Sequence, residues 1–132
     1  MFLYSNIEKS KLMTKPLLSL LLLTAILTSC DPSSSDTYLI SNDGGKIIVV
    51  EQGAGTVTHD IQPGQQYTVY VKSGMYESKG IADDYLQEAS IKRIVKDTVV
   101  CKKDPNNSNY WNTQKNGKRM YTHTLHIADS DF

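Results

Sequence analysis

Residues 110–127 read YWNTQKNGKRMYTHTLHI and decide the fold. Two runs of alternating side chains, 110–115 and 118–127, flank Asn116-Gly117, the dipeptide that best fits the left-handed positions of a type I′ hairpin turn. Strand side chains alternate between the two faces of a sheet, which predicts one inward set in the second run. That inward set is Tyr121, His123, Leu125 and Ile127. The stretch therefore predicts an antiparallel β-hairpin.

Upstream of this hairpin, short β-branched and aromatic runs alternate with turn residues at close spacing. Pro63-Gly64 fits the centre of a type II turn, because proline presets φ and glycine supplies a positive φ. The predicted strands occupy residues 37–41, 46–51, 56–61, 67–71, 90–95 and 98–102, with Lys96-Asp97 turning the last two. This organisation is typical of an all-β fold. We expect a single small antiparallel β-sandwich over residues 37–132.

The faces of three of these strands follow from their patterns. Residues 47–50 are apolar on both faces, which predicts a central, doubly covered strand. The positions predicted to face inward on the next two strands are Val57, His59 and Ile61, then Tyr67, Val69 and Val71. Residues 73–88 form the longest connection, and 83–89 could be a short helix with acids at its N-terminus, as the helix dipole prefers.

The first 29 residues have the three parts of a secretory signal. Three lysines precede an apolar run over 17–27, and the small residues Thr28 and Ser29 come before Cys30. A membrane-spanning helix needs about 20 apolar residues, so this run is too short to span. We predict a cleaved signal peptide over 1–29.

Residues 27–30, Leu-Thr-Ser-Cys, resemble the lipobox of bacterial lipoproteins. The resemblance implies that a diacylglycerol alkylates the Cys30 thiol and that the membrane is a partner through this lipid. A plain secretory signal followed by a chance cysteine is the alternative. Residues 30–36 then form the lipidated N-terminus and a polar tether of about 20 Å, because an extended residue spans about 3.3–3.6 Å.

The composition after Cys30 excludes some function classes. Removal of residues 1–29 leaves 103 residues with 11 basic and 13 acidic side chains, a net charge of −2. A nucleic-acid partner would require a basic stripe, so none is expected. Cys101 is the only other cysteine of the sequence, which leaves no intramolecular disulfide. We interpret Cys101 as a buried inert thiol, with a free or intermolecularly paired thiol as alternatives.

Catalytic chemistry has little support in the motifs. His123 and His126 form an H-x-x-H pattern, but residues three apart on a strand lie on opposite faces. A metal-dependent hydrolase assembled from His59, His123 and the loop carboxylates Asp83 and Asp84 is the alternative hypothesis. We predict no catalytic residue, no metal and no cofactor.

Aromatic and amide side chains are the candidate binding residues. Tyr110, Trp111 and Asn112 combine flat apolar rings with a hydrogen-bonding amide, next to Asn106, Asn107 and Asn109. Such groups stack on sugars or peptides, and Tyr and Trp dominate binding hot spots. Trp111 could instead fill the core. Tyr85, in the possible short helix, is the fourth candidate.

The lipobox, the turns at 42–45 and 61–67, and residues 119–132 together resemble small envelope lipoproteins of Bacteroidetes. The resemblance implies an immunoglobulin-like sandwich at the cell envelope. We expect the outer membrane, on either its periplasmic or its surface face. It supplies no catalytic residue. We expect a lipid-anchored, non-catalytic module that binds an envelope protein or a glycan, with a structural assembly subunit as a further alternative.

Overall fold

The computed structural model describes residues Ser33–Phe132. The predicted signal peptide and Cys30 lie outside the described residues. Eight strands run in chain order: β1 (Ser33–Asn42), β2 (Ile48–Gln52), β3 (Val57–Ile61), β4 (Gln66–Met75), β5 (Ile91–Lys96), β6 (Val99–Val100), β7 (Trp111–Gly117) and β8 (Met120–Ile127). The helical segments are α1 (Asp83–Leu86) and 3-10 turns at Gln87–Ala89, Ser108–Tyr110 and Asp129–Asp131. No helix among residues 33–132 is long and apolar enough to cross a membrane.

The strands form two four-stranded sheets, which confirms the predicted all-β sandwich. Sheet A has the order β4-β1-β8-β7 and sheet B the order β3-β2-β5-β6. Every pairing is antiparallel except that of β1 with β8, which is parallel. The connectivity differs from the immunoglobulin one, which separates its second and third strands between sheets. Here β2 and β3 pair directly, because Gly53 (φ 76°) and Thr56 (φ 52°) close a tight turn between them.

One core joins the two sheets. Its fully buried apolar side chains come from both: Tyr38, Ile40, Leu125 and Ile127 from sheet A, and Ile48, Val50, Ile61 and Ile94 from sheet B. Each such aliphatic side chain contributes about 1.5–3 kcal/mol when it leaves water. This shared core is what makes residues 33–132 a sandwich.

The C-terminal hairpin is confirmed, but its turn lies two residues later than predicted. Lys118 and Arg119 form the turn, with Arg119 in the left-handed region at φ 59°. The register shifts between Lys115 and Gly117, so Asn116 is an extra, bulged residue. Its amide donates a hydrogen bond to Thr122 Oγ1. The bulge and the left-handed arginine together replace the predicted type I′ turn.

The first strand begins four residues before its predicted start. Residues 33–36, assigned to the tether, belong to β1: all four pair with β4, and Ser35 and Asp36 also pair with β8. Ser34 and Asp36 face inward and are buried. Their polar atoms are satisfied by hydrogen bonds with residues 76–78. A polar stretch can therefore be a buried strand when its partners come from distant residues.

Two apolar positions predicted to face inward are exposed. The prediction for Val71 is wrong, because β4 has a bulge at Val69 that reverses the alternation beyond it. The prediction for Val57 is also wrong, because Val57 is 56% exposed at the start of β3, an edge strand of sheet B. The strand β2 is central in sheet B, but Ile47 is exposed before it and only Ile48 and Val50 are fully buried. Its predicted double coverage is therefore wrong.

Residues 76–90 connect β4 of sheet A to β5 of sheet B and include the predicted short helix, α1. Leu86 and Ala89 are buried in the core. The Tyr38 hydroxyl donates a hydrogen bond to the Ala82 carbonyl at 2.8 Å, which fixes the connection against the inner side of sheet A. The β5–β6 hairpin is present, with Asp97 and Thr98 as its left-handed turn residues.

Candidate functional site

A chain of polar side chains, buried or half-buried except at Thr113, crosses sheet A beneath residues 76–82. His123 Nε2 lies 2.8 Å from Asp36 Oδ1, and His123 Nδ1 lies 2.8 Å from Thr113 Oγ1. The Tyr76 hydroxyl donates to the other Asp36 oxygen at 2.7 Å. Tyr38 covers the imidazole at a centroid distance of 4.6 Å.

Hydrogen bonds keep the Asp36 carboxylate ionised within the protein. Burial would raise its pKa, but hydrogen bonds from Ser78, His123 and Tyr76 outweigh burial and lower the pKa below its ordinary value. Burial and the bond to Asp36 raise the pKa of the Tyr76 phenol in turn. An ionised carboxylate only accepts, so the imidazole Nε2–H donates to it.

The order Thr113, His123, Asp36 matches that of a nucleophile, a base and an orienting acid. A substrate would need access to the imidazole, however, and His123 is 0% exposed while Asp36 is 1% exposed. The chain joins β1, β7 and β8, with its His123–Asp36 part buried and Thr113 exposed at its outer end.

The histidines of the hydrolase hypothesis are not brought together. His59 stacks on Tyr67 at 4.3 Å and bonds its hydroxyl through Nε2 at 3.0 Å, whereas His123 is held by Asp36 and Thr113. No group of three or more His, Cys, Asp or Glu side chains among residues 33–132 could hold a metal ion. The geometry of the described residues gives the hydrolase hypothesis no site.

An open cleft of about 310 Å³ lies beside His59. It is lined by Gln52, Gly53, Val57, His59, Glu88, Ala89 and Ser90. Glu88 accepts a hydrogen bond from the Tyr70 hydroxyl and pairs with Lys72 at 3.5 Å. The bond to Glu88 raises the pKa of Tyr70 to about 12, and the same bond lowers the pKa of Glu88. The carboxylate at the cleft is thus already engaged within the protein.

The outer side of sheet A carries a second candidate surface, which we name the uncharged face. Its residues form two rows of four across the strands: Val71, Thr37, Thr122 and Gln114, then Thr68, Leu39, Thr124 and Asn112. Alternation places them outside, because their neighbours Tyr38, His123 and Leu125 are fully buried. At about 4.8 Å per strand spacing, each row spans about 14 Å. Eight adjacent side chains therefore present hydroxyls, amides and aliphatic groups without a charge.

The outer side of sheet B differs in charge. Glu51 lies opposite Thr58 and Arg93 in the register, and Asp60 lies one row away. The Arg93 Nε donates to Glu51 at 2.7 Å, an ion pair that raises the arginine pKa and lowers that of the glutamate. A charged outer surface is the ordinary solvated surface of a sheet, so the uncharged face of sheet A is the more unusual of the two.

The predicted binding residues separate in the structure. Tyr110 is 42% exposed and Asn112 belongs to the uncharged face. Trp111 is buried in the core and donates Nε1–H to the Pro105 carbonyl at 2.9 Å, so its ring is closed to ligands. Tyr85 packs edge-on against Tyr76 at 5.3 Å, beside the buried chain rather than on the uncharged face.

The threonines of the uncharged face were not identified from the sequence. Thr122 and Thr124 occupy the outward positions of the predicted strand, so the alternation of that strand alone predicts that they face solvent. Their neighbours Thr37 and Leu39 join them only through the parallel pairing of β1 with β8, which no local pattern indicates.

Cys101 lies in the core, as the interpretation of an inert thiol requires. It is buried and makes no disulfide among residues 33–132, and burial raises the pKa of its thiol. Because the thiolate is the reactive form, this position disfavours reaction.

No protein-family model, curated protein or solved structure matches the chain. The candidate sites therefore rest on their own geometry.

Proposed function

We propose that the protein is a lipid-anchored, non-catalytic lipoprotein of the bacterial outer membrane that binds an uncharged glycan on the uncharged face. The observation that supports the ligand class is the pair of rows of uncharged side chains across sheet A. The lipobox resemblance at residues 27–30 supports the anchor.

The chemistry of the face favours a neutral glycan. Threonine hydroxyls and the Asn112 and Gln114 amides both donate and accept hydrogen bonds, as sugar hydroxyls do. Leu39 and Val71 offer aliphatic surface to the C–H side of a sugar ring. A charged ligand would lose hydration and gain no counter-charge on this face, which disfavours it.

The position of the face also favours binding. Its central residues, such as Thr37 and Thr124, lie on β1 and β8, which are paired on both sides. Side chains on such strands are held more precisely than side chains on loops, which lowers the cost of ordering them around a ligand. Tyr110, next to the strand that carries Asn112, would extend the surface with an exposed ring.

The ligand proposal is tested by placing a charge at the centre of the face. Thr124→Arg should reduce retention on immobilised neutral polysaccharides more than tenfold, because the guanidinium is bulky and its desolvation is unfavourable. Thr58→Arg, on the outer side of sheet B, is the matched control and should bind like the wild type. Equal binding by both variants, or no retention of the wild type on any neutral glycan, would reject the uncharged face as a glycan site.

The anchor has a separate test. Cys30→Ser should abolish acyl labelling and release the protein from the membrane fraction, since the thioether needs the thiol. In the wild type, density separation should place the protein with the outer membrane. Unchanged membrane partitioning of the serine variant would refute lipidation at Cys30.

A further inference from the structure

We infer that the end of the domain where β1 begins, the Ser33 end, docks on a bilayer surface that contains anionic lipids. This inference rests on the proposed lipid at Cys30. It adds an orientation: the domain lies against the membrane through a specific surface and does not tumble freely on its anchor.

The register fixes which residues meet at the Ser33 end. Ser33 lies opposite Met75, the last residue of β4, and Ser35 lies opposite Met120, the first residue of β8. The turn that precedes β8 is held here as well, because the Ser35 amide donates to the Arg119 carbonyl at 2.9 Å.

Apolar side chains project from this end. Met75 is 84% exposed, and Met120 and Ile81 are each about half exposed. Ile81 follows Gly80, which packs directly against the ring of Tyr121. Three segments thus bring exposed apolar groups to one end of the sandwich, as interfacial membrane contacts require.

Basic side chains surround these apolar groups. Residues 76–84 and 115–120 contain four basic residues, Lys79, Lys115, Lys118 and Arg119, and three acids, Glu77, Asp83 and Asp84. Lys79, Lys115 and Lys118 are exposed, and no ion pair among residues 33–132 includes any of them. Their charge complements anionic headgroups, which attract basic residues near the membrane surface.

The chain length brings this end to the bilayer. Three residue steps separate Cys30 from Ser33, a reach of at most about 11 Å. A lipid on Cys30 would therefore hold Met75, Met120 and the basic residues at the level of the headgroups. No longer tether is available, because residues 33–36 are part of β1.

The test uses the full-length lipidated protein in vesicles of phosphatidylcholine with or without phosphatidylglycerol. An environment-sensitive fluorophore is attached at Met120→Cys, or at Gln65→Cys, an exposed position that directly precedes β4 at the end away from Met75. Cys101 is buried and should not label. On anionic vesicles the fluorophore at 120 should gain about twofold in emission and be quenched by brominated lipid, whereas the fluorophore at 65 should show neither effect.

A charge reversal completes the test. In the Met120→Cys protein, Lys118→Glu should abolish most of the emission gain on anionic vesicles, whereas Lys102→Glu, the same change in charge away from the Ser33 end, should leave it in place. Vesicle flotation separates the two proposals. A protein that floats but shows equal emission at 65 and 120, or equal gains with and without phosphatidylglycerol, overturns the docking surface and leaves the anchor standing. A protein that does not float overturns both.

Discussion

The Ser33 end and the opposite, Phe132 end of the sandwich use charge in opposite ways. At the Ser33 end, the carboxylate of Asp36 is buried with His123, and the exposed lysines lack ion-pair partners among the described residues. At the Phe132 end, exposed and partly buried ionisable groups pair across loops. These pairs are Lys46–Asp97, Lys96–Asp129, Lys103–Asp131 and His126–Asp43.

The comparison shows that two His–Asp pairs of equal length can contribute differently to stability. His123–Asp36 and His126–Asp43 are both 2.8 Å, yet the first pair is sealed and the second is about half exposed. An exposed pair contributes little to the free energy of unfolding, because water screens it. Removing one partner from a buried pair costs much more, because it leaves an unpaired polar group in the core. The two ends can therefore be compared by matched substitutions.

The largest difference should come from the two carboxylates. Asp36→Ala should lower the free energy of unfolding by about 3–5 kcal/mol, because His123, Tyr76 and Ser78 lose a shared buried acceptor. Asp43→Ala, its exposed counterpart, should cost about 0.5 kcal/mol. Urea unfolding of both variants measures the two values. Equal losses would show that burial does not distinguish the ends.

The second-largest difference in stability should come from alanine substitutions at two glycines, Gly80 at the Ser33 end and Gly64 at the Phe132 end. Gly80 has φ 67°, and a Cβ there would lie 2.5 Å from the Tyr121 ring, whereas Gly64 has φ 74° and no neighbour within 4 Å. Gly64→Ala should cost about 1–2 kcal/mol from backbone strain alone. Gly80→Ala should cost about 1–3 kcal/mol more from the clash. Thermal unfolding in parallel checks the order, and a less stable Gly64 variant would contradict it.

Acid should weaken the buried pair in a predictable direction. The Asp36 pKa is lowered from 3.8 on folding, so the unfolded chain takes up its proton first as the pH falls. The stability that Asp36 contributes is complete above about pH 5 and is lost as the pH falls through the lowered value. The free energy of unfolding, measured from about pH 6 to pH 2, should therefore fall less steeply in Asp36→Asn than in the wild type. A steeper fall in the variant would reverse the assigned direction.

The smallest effect should come from single lysines. Lys96→Gln, at the Phe132 end, should lower the urea midpoint slightly, and salt near 1 M, where screening acts within about 3 Å, should remove the difference. Lys118→Gln, at the Ser33 end, should not lower the midpoint at any salt concentration. A lower urea midpoint for Lys118→Gln would indicate that Lys118 makes an intramolecular contact that competes with its proposed membrane contact.

Local patterns predicted much of the fold. The alternation over 120–127 identified β8 and its inner face, and Pro63-Gly64 identified a turn whose glycine has φ 74°. These features depend on neighbouring residues and on the period of a strand. The short helix at 83–89 was likewise visible from its acids.

Features that depend on distant residues could not be predicted. Asp36 sits in a strand because Tyr76, forty residues away, bonds its carboxylate. The bulge at Val69 arises from pairing with β1 and turned Val71 outward. Of the candidate binding residues, Tyr110 and Asn112 proved exposed, while Trp111 took the core position that its alternation with Tyr110 allowed.

The place of β1 also sets how the domain would bear a mechanical load. A pull between a lipid at Cys30 and a ligand on sheet A would act along β1, which is paired with β4 and β8 on its two sides. Because the ladder hydrogen bonds lie across the strands, such a force shears many of them at once instead of unzipping them singly. With the proposed lipid and ligand in place, β1 would thus be the strand best placed to resist extraction.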